Sequence, residues 1–141
     1  MIELFGNKTT AFLDLWSIEH ILSGISIGAM VSFINYKYHN SLSPKTLVRI
    51  DIIAILFLAY LWESIEIYLE LGLLGSQVEF WLNGIEHWSN RLISDPLMML
   101  IGYFIGLNFP MTIHPARTLS AIWLFVHVFI FPHSMYIHEL F

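Results

Sequence analysis

The chain has 141 residues, of which 57% are hydrophobic and 12% charged, well under the roughly 25% charged content of a typical soluble domain. That balance excludes an ordinary soluble fold, and the net charge of −5 argues against nucleic acid as a partner. There is no cysteine, which removes disulfides, thiolate metal sites and a thiol nucleophile from consideration.

The expected fold class is all-α: a single integral membrane domain over residues 1–141, built as a polytopic transmembrane helical bundle of about four spans plus an interfacial helix. Each span needs about 20 apolar residues, because a helix rises roughly 1.5 Å per residue across about 30 Å of hydrocarbon. The N-terminus does not read as a cleaved signal peptide. Glu3 stands where a basic residue is usual, and the first apolar run contains Glu19 and His20.

Residues 11–36 form the first expected span, closed by Lys37, Tyr38, His39 and Asn40 and by the helix-stopping Pro44. The second covers 46–72; its apolar heart leads into Trp62 and the acids Glu63, Glu66 and Glu70. The segment 78–90 holds Trp81, Trp88, Glu79, Glu86 and His87. It is too polar to span and too aromatic for a free loop, so it is expected to lie at the interface. The third span is expected over 92–109. Pro110 and Pro115 then bracket a turn, and the fourth covers 117–131, with His133 and His138 beyond it.

The basic residues orient the bundle. Lys37, Lys45, Arg49 and Arg117 fall on one side and Lys8 and Arg91 on the other, which places the termini and the Trp-rich connection outside. Counted from the basic side, His20, Glu63 and Asp95 reach nearly one depth, about 21–24 Å, on three helices. Glu63 and Glu66 share a helix face. Unpaired buried anions cost several kcal/mol each, so these acids need protons, cationic partners or a metal; His20, His87 and Arg91 are the nearest candidates. His20, Gly24 and Gly28 share one side of the first helix, as Asp95, Gly102 and Gly106 roughly do on the third, so the polar groups are expected on packing faces. Ser94, Asp95 and Pro96 also read as a helix start with aspartate as the cap. Glu70, Glu79 and Glu139 are expected to be solvated.

Three strings carry a family resemblance: Glu19-His20 with Gly24; Trp62-Glu63 with Glu66; and Asn90 followed by Ser94-Asp95, an apolar run and Gly102. In this order they resemble the VanZ-like membrane proteins and related bacterial membrane families of uncharacterised function. The resemblance implies a compact helical bundle in a bacterial cell membrane, and His20, Glu63, Glu66, Asn90 and Asp95 as site residues. Glu86-His87 departs from it, since the pattern often has an aspartate with a small neighbour there.

Three functions compete. In the first, His20, Glu63, Glu66, His87 and Asp95 ligate a divalent metal (zinc, manganese or iron), with Glu63, Glu66 and Asp95 catalytic and Asn90 and Arg91 as further polar site groups. The reaction would be hydrolysis or transfer on a lipid or lipid-linked envelope substrate. No established metal-site motif is present. In the second, the same acids load protons or cations for transport, for which homo-oligomerisation could supply the inward path that a monomer lacks. In the third, the acidic face is a non-catalytic binding factor for an envelope component or antibiotic.

Overall fold

The structure, a computed structural model, describes residues 2–82 and 84–130. Its order is β1 (Glu3–Phe5), β2 (Ala11–Leu13), α1 (Trp16–His39), α2 (Pro44–Glu70), α3 (Ser76–Leu82), a π-helical turn (Asn90–Ser94), α4 (Asp95–Asn108), a 3-10 turn (Pro110–Thr112), α5 (Ile113–Phe125) and a second π-helical turn (Val126–Ile130). Among the described residues, three helical stretches are long and apolar enough to cross a membrane: Trp16–His39, Pro44–Glu70 and Pro110–Ile130. The stretch expected as the third span contains α4, whose 14 residues reach only about 21 Å.

Local chemistry sets the helix ends. Ser43 caps α2, its Oγ accepting from the Thr46 amide at 3.2 Å, and Pro44 occupies a first-turn position where a missing N–H costs nothing. Beyond Glu70 the chain reverses through Gly72 at φ 79°, a left-handed conformation in which a Cβ would be strained. Pro115 does not stand outside the last helix, as its sequence position suggests. It falls in the first turn of α5, which tolerates proline for the same reason.

The bundle centres on α1 against α4. A Cβ on Gly24 would strike the Met99 carbonyl, and one on Gly102 would strike the Ile21 carbonyl. Lipid tails are as apolar as leucine, so helices in a bilayer associate through such close backbone approach rather than through hydrophobic exclusion. The core below this crossing is Val31, Ile55, Ala59, Met99 and Tyr103. At that end the buried Asp51 of α2 accepts from Ser32 Oγ (2.6 Å), Asn35 Nδ2 (2.6 Å) and Tyr103 OH (3.1 Å), a satisfied node tying α1, α2 and α4 together.

The N-terminal residues differ from expectation. Residues 11–13 pair with 3–5 as a short parallel ladder, Glu3 opposite Ala11 and Phe5 opposite Leu13, so the first helix starts at Trp16 rather than at residue 11. The expected interface segment 78–90 is not one helix: its start belongs to α3 (Ser76–Leu82), residues 84–87 are non-helical, and residues 88–90 are helical and lead into the π-helical turn.

Candidate functional site

α1 enters, α2 leaves and α4 enters at the same end of the bundle, and there the ionisable side chains meet. Asp14 starts the construction. Its Oδ1 accepts from the amides of Trp16 (2.7 Å) and Ser17 (3.0 Å), capping α1 and fixing Ser17. The Ser17 hydroxyl then donates to Asp95 Oδ1 at 3.2 Å, which leaves Oδ2 of Asp95 facing His20 Nε2 at 3.4 Å. Glu63 Oε1 stands 3.7 Å from the same imidazole nitrogen. The ligand atoms of His20, Glu63 and Asp95 all lie within 4.8 Å of one another.

A second group adjoins the first. Glu66, Glu70 and Glu86 bring carboxylate oxygens within 4.8 Å of one another. Glu70 pairs with Lys8 Nζ at 2.6 Å and with Arg91 Nη2 at 2.6 Å, and its Oε2 accepts from the Glu86 amide at 3.2 Å. Arg91 bridges the groups, with Nε 3.6 Å from Glu63 and Nη2 3.4 Å from Glu86. Burial and the nearby Asp95 charge push the Glu86 carboxyl above the ordinary carboxylate range, and burial does the same to Asp14.

The charge balance of this region is uneven. Asp14, Glu63, Glu66, Glu70, Glu86 and Asp95 face two permanent cations, Lys8 and Arg91. Polar satisfaction is uneven too. Among the described residues, both carboxylate oxygens of Glu63, Oδ2 of Asp95, Oε2 of Glu86, both amide atoms of Asn90 and the Ser94 hydroxyl are buried without a hydrogen bond. A native fold of this size leaves only a few such atoms, and here several of them belong to the residues of the His20–Glu63–Asp95 group and the π-helical turn beside it. Asn90 and Ser94 are fully buried on the π-helical turn, a backbone irregularity common at functional sites.

No protein-family model matches the chain, and neither a curated protein nor a solved structure shows significant similarity to it. The comparisons therefore support no family, the VanZ-like one included.

The geometry brings together His20, Glu63 and Asp95, with Arg91 against them, and keeps Glu66 in the neighbouring acidic group. His87 sits in neither group. Its Nδ1 is 2.8 Å from Ser89 Oγ, its ring lies against Trp88, and its amide donates to the Lys8 carbonyl. Asp95 does not cap a helix start, because the chain is already helical through Asn90–Ser94 and the Asp95 amide bonds the Asn90 carbonyl; its carboxylate accepts from Ser17 instead. Glu70 is not solvated but 3% exposed; its place on the Glu63–Glu66 face was the available signal. Lys8 and Asp14 complete the site from irregular segments whose sequence gives no periodic cue, and Ser17 from the first turn of α1, three residues before His20. His133 and His138 lie outside the described residues.

Proposed function

We propose that the chain is an inner-membrane protein of bacterial type in which His20, Glu63 and Asp95 hold a divalent metal at the extracytoplasmic end. On this reading it is a hydrolase or transferase acting on a lipid or lipid-linked envelope substrate. The observation that carries the reading is the convergence of one imidazole nitrogen and two carboxylate oxygens from three helices within 4.8 Å, with the acid oxygens facing it free of hydrogen bonds. One nitrogen and two oxygen donors without sulfur suit zinc, manganese or iron, and three protein ligands leave a coordination position open.

Bound there, the metal would lower the pKa of a coordinated water. Glu66, beside the triad but outside it, would accept a proton from water and deliver it to the leaving group. Asn90 and Arg91 would orient the substrate's polar atoms. The π-helical turn of 5 residues and α4 of 14 would together form the third of four spans, approaching the roughly 30 Å of hydrocarbon. The termini would then lie outside. The surplus of carboxyls over permanent cations favours a second reading, in which the same groups load protons or cations for transport.

Elemental analysis of the detergent-purified protein tests the first reading, comparing wild type with Glu63→Gln, His20→Ala and Asp95→Asn, with gel filtration as the check on folding. A near-stoichiometric metal lost from all three folded variants is the expected result. Absence of metal after loading with zinc, manganese and iron would overturn it.

A further inference from the structure

The Glu66–Glu70–Glu86 group already holds a cation, and that cation comes from the N-terminal strap of the chain itself. Residues 6–10 join β1 to β2, and Lys8 lies in that turn, 1% exposed. Two hydrogen bonds of Lys8 pin the turn to the bundle. Its Nζ donates to Glu70 Oε1 at 2.6 Å, and its carbonyl accepts from the His87 amide at 2.8 Å. β1 itself is exposed throughout.

The three carboxyl groups suit a metal ion as well as an ammonium. One oxygen of each lies within 4.8 Å of the others, and donors around one calcium ion, each at about 2.3–2.6 Å, stand no more than about 5 Å apart. Glu86 is 7% exposed, and its Oε2 is buried without a hydrogen bond. Arg91 Nη2 stands off from that oxygen at 3.4 Å, drawn to Glu70 at 2.6 Å. Glu66 keeps part of its surface exposed, which gives an ion its way in. Three acids face two single charges here; a divalent ion in the place of Lys8 raises the positive charge to three and matches them. An ion and an ammonium on the Glu70 carboxylate would repel each other across a few ångström, so the two exclude one another.

We propose that Glu66, Glu70 and Glu86 form a divalent-cation site that Lys8 keeps closed, and that a hard cation such as calcium entering it displaces the Lys8 ammonium and frees the strap. All three donors are oxygen, the preference of calcium and magnesium, whereas the imidazole of His20 suits zinc or iron. An ion on Glu66 would also remove the proton acceptor of the proposed reaction and so inhibit it; that consequence rests on the metal reading above, and the site itself does not.

The test is amine acylation of the detergent-purified wild type, with and without millimolar calcium, read lysine by lysine by mass spectrometry. Lys37 and Lys45 are exposed and serve as internal standards. Calcium is expected to raise Lys8 acylation about tenfold as the strap population shifts, with Lys37 and Lys45 unchanged. Glu66→Gln removes a ligand and leaves the Lys8–Glu70 pair, so it is expected to abolish the rise, whereas His20→Ala is expected to keep it. Lys8→Met removes the competitor and should bind calcium more tightly than wild type in equilibrium dialysis. Lys8 reactivity unmoved by calcium and magnesium, a rise that survives in Glu66→Gln or is lost in His20→Ala, or weaker calcium binding by Lys8→Met would each overturn the proposal. The labelling does not read the His20–Glu63–Asp95 group, so failure here leaves the metal reading standing.

Discussion

His20 Nε2 and Asp95 Oδ2 face each other at 3.4 Å across the helix crossing that Gly24 and Gly102 make possible. The two facts are linked. Backbone contact at the glycines fixes the separation of α1 and α4, and His20, one turn before Gly24, and Asp95, two turns before Gly102, inherit it.

Gly24→Leu should therefore disturb the site from a distance. Its side chain would displace the Met99 backbone, and overpacking of this kind costs about 1–3 kcal/mol. Thermal unfolding in detergent is expected to show that loss, together with weaker metal retention. A variant as stable as wild type would mean that the crossing is looser than the structure indicates.

Ser17→Ala tests positioning. The hydroxyl orients Asp95 through Oδ1, and removing a hydrogen bond to a metal ligand typically weakens affinity about 10–100-fold. Competition with a fluorescent chelator should show a drop of that order with helical content intact. Unchanged affinity would remove Ser17 from the site.

Arg91→Met strips the bridge from Glu63, Glu70 and Glu86. Breaking a buried pair from one side costs about 3–5 kcal/mol, because the partner charge stays buried. The double variant Arg91→Met/Glu70→Gln should recover part of the loss in equilibrium unfolding. No recovery would show that Glu70 is not the principal partner.

Stability should also fall as pH rises. Glu86 and Asp14 have folded pKa values above their ordinary ones, so above the ordinary carboxylate pKa the folded state holds protons that the unfolded state has released. Their contribution is complete below that pKa and is lost as pH climbs through the folded values, at up to about 1.4 kcal/mol per pH unit for each group. Glu86→Gln should flatten the slope measured by unfolding between pH 5 and pH 8. An unaltered slope would exclude Glu86 as a source of the dependence.

Much of the site was legible because helical periodicity and depth are one-dimensional properties. Counting residues placed His20, Glu63 and Asp95 at one level, and the glycine spacing put His20 and Asp95 on packing faces; the contacts between them agree. Glu70 was misjudged because proximity to a helix end suggests water, whereas Lys8 and Arg91 close over it. Asp14 lies on an irregular segment with no period from which a facing direction can be read, whereas Ser17 stands three residues before His20 on α1, where helical spacing is a cue to its direction.

The sequence by itself determined that the chain is mostly helical and suited to a membrane, since length and hydropathy of each segment are enough for that, and it put Glu63, Glu66 and Asp95 toward one end. Tertiary structure decided which acids stand together, divided them between the His20 and Glu70 clusters, sent His87 elsewhere and folded β1 and β2 into a ladder carrying Lys8 between them. The physical reason is that depth is set along a single helix, whereas partnership depends on helix rotation, close glycine contacts and the path of irregular segments, all of which are fixed only when the elements pack together.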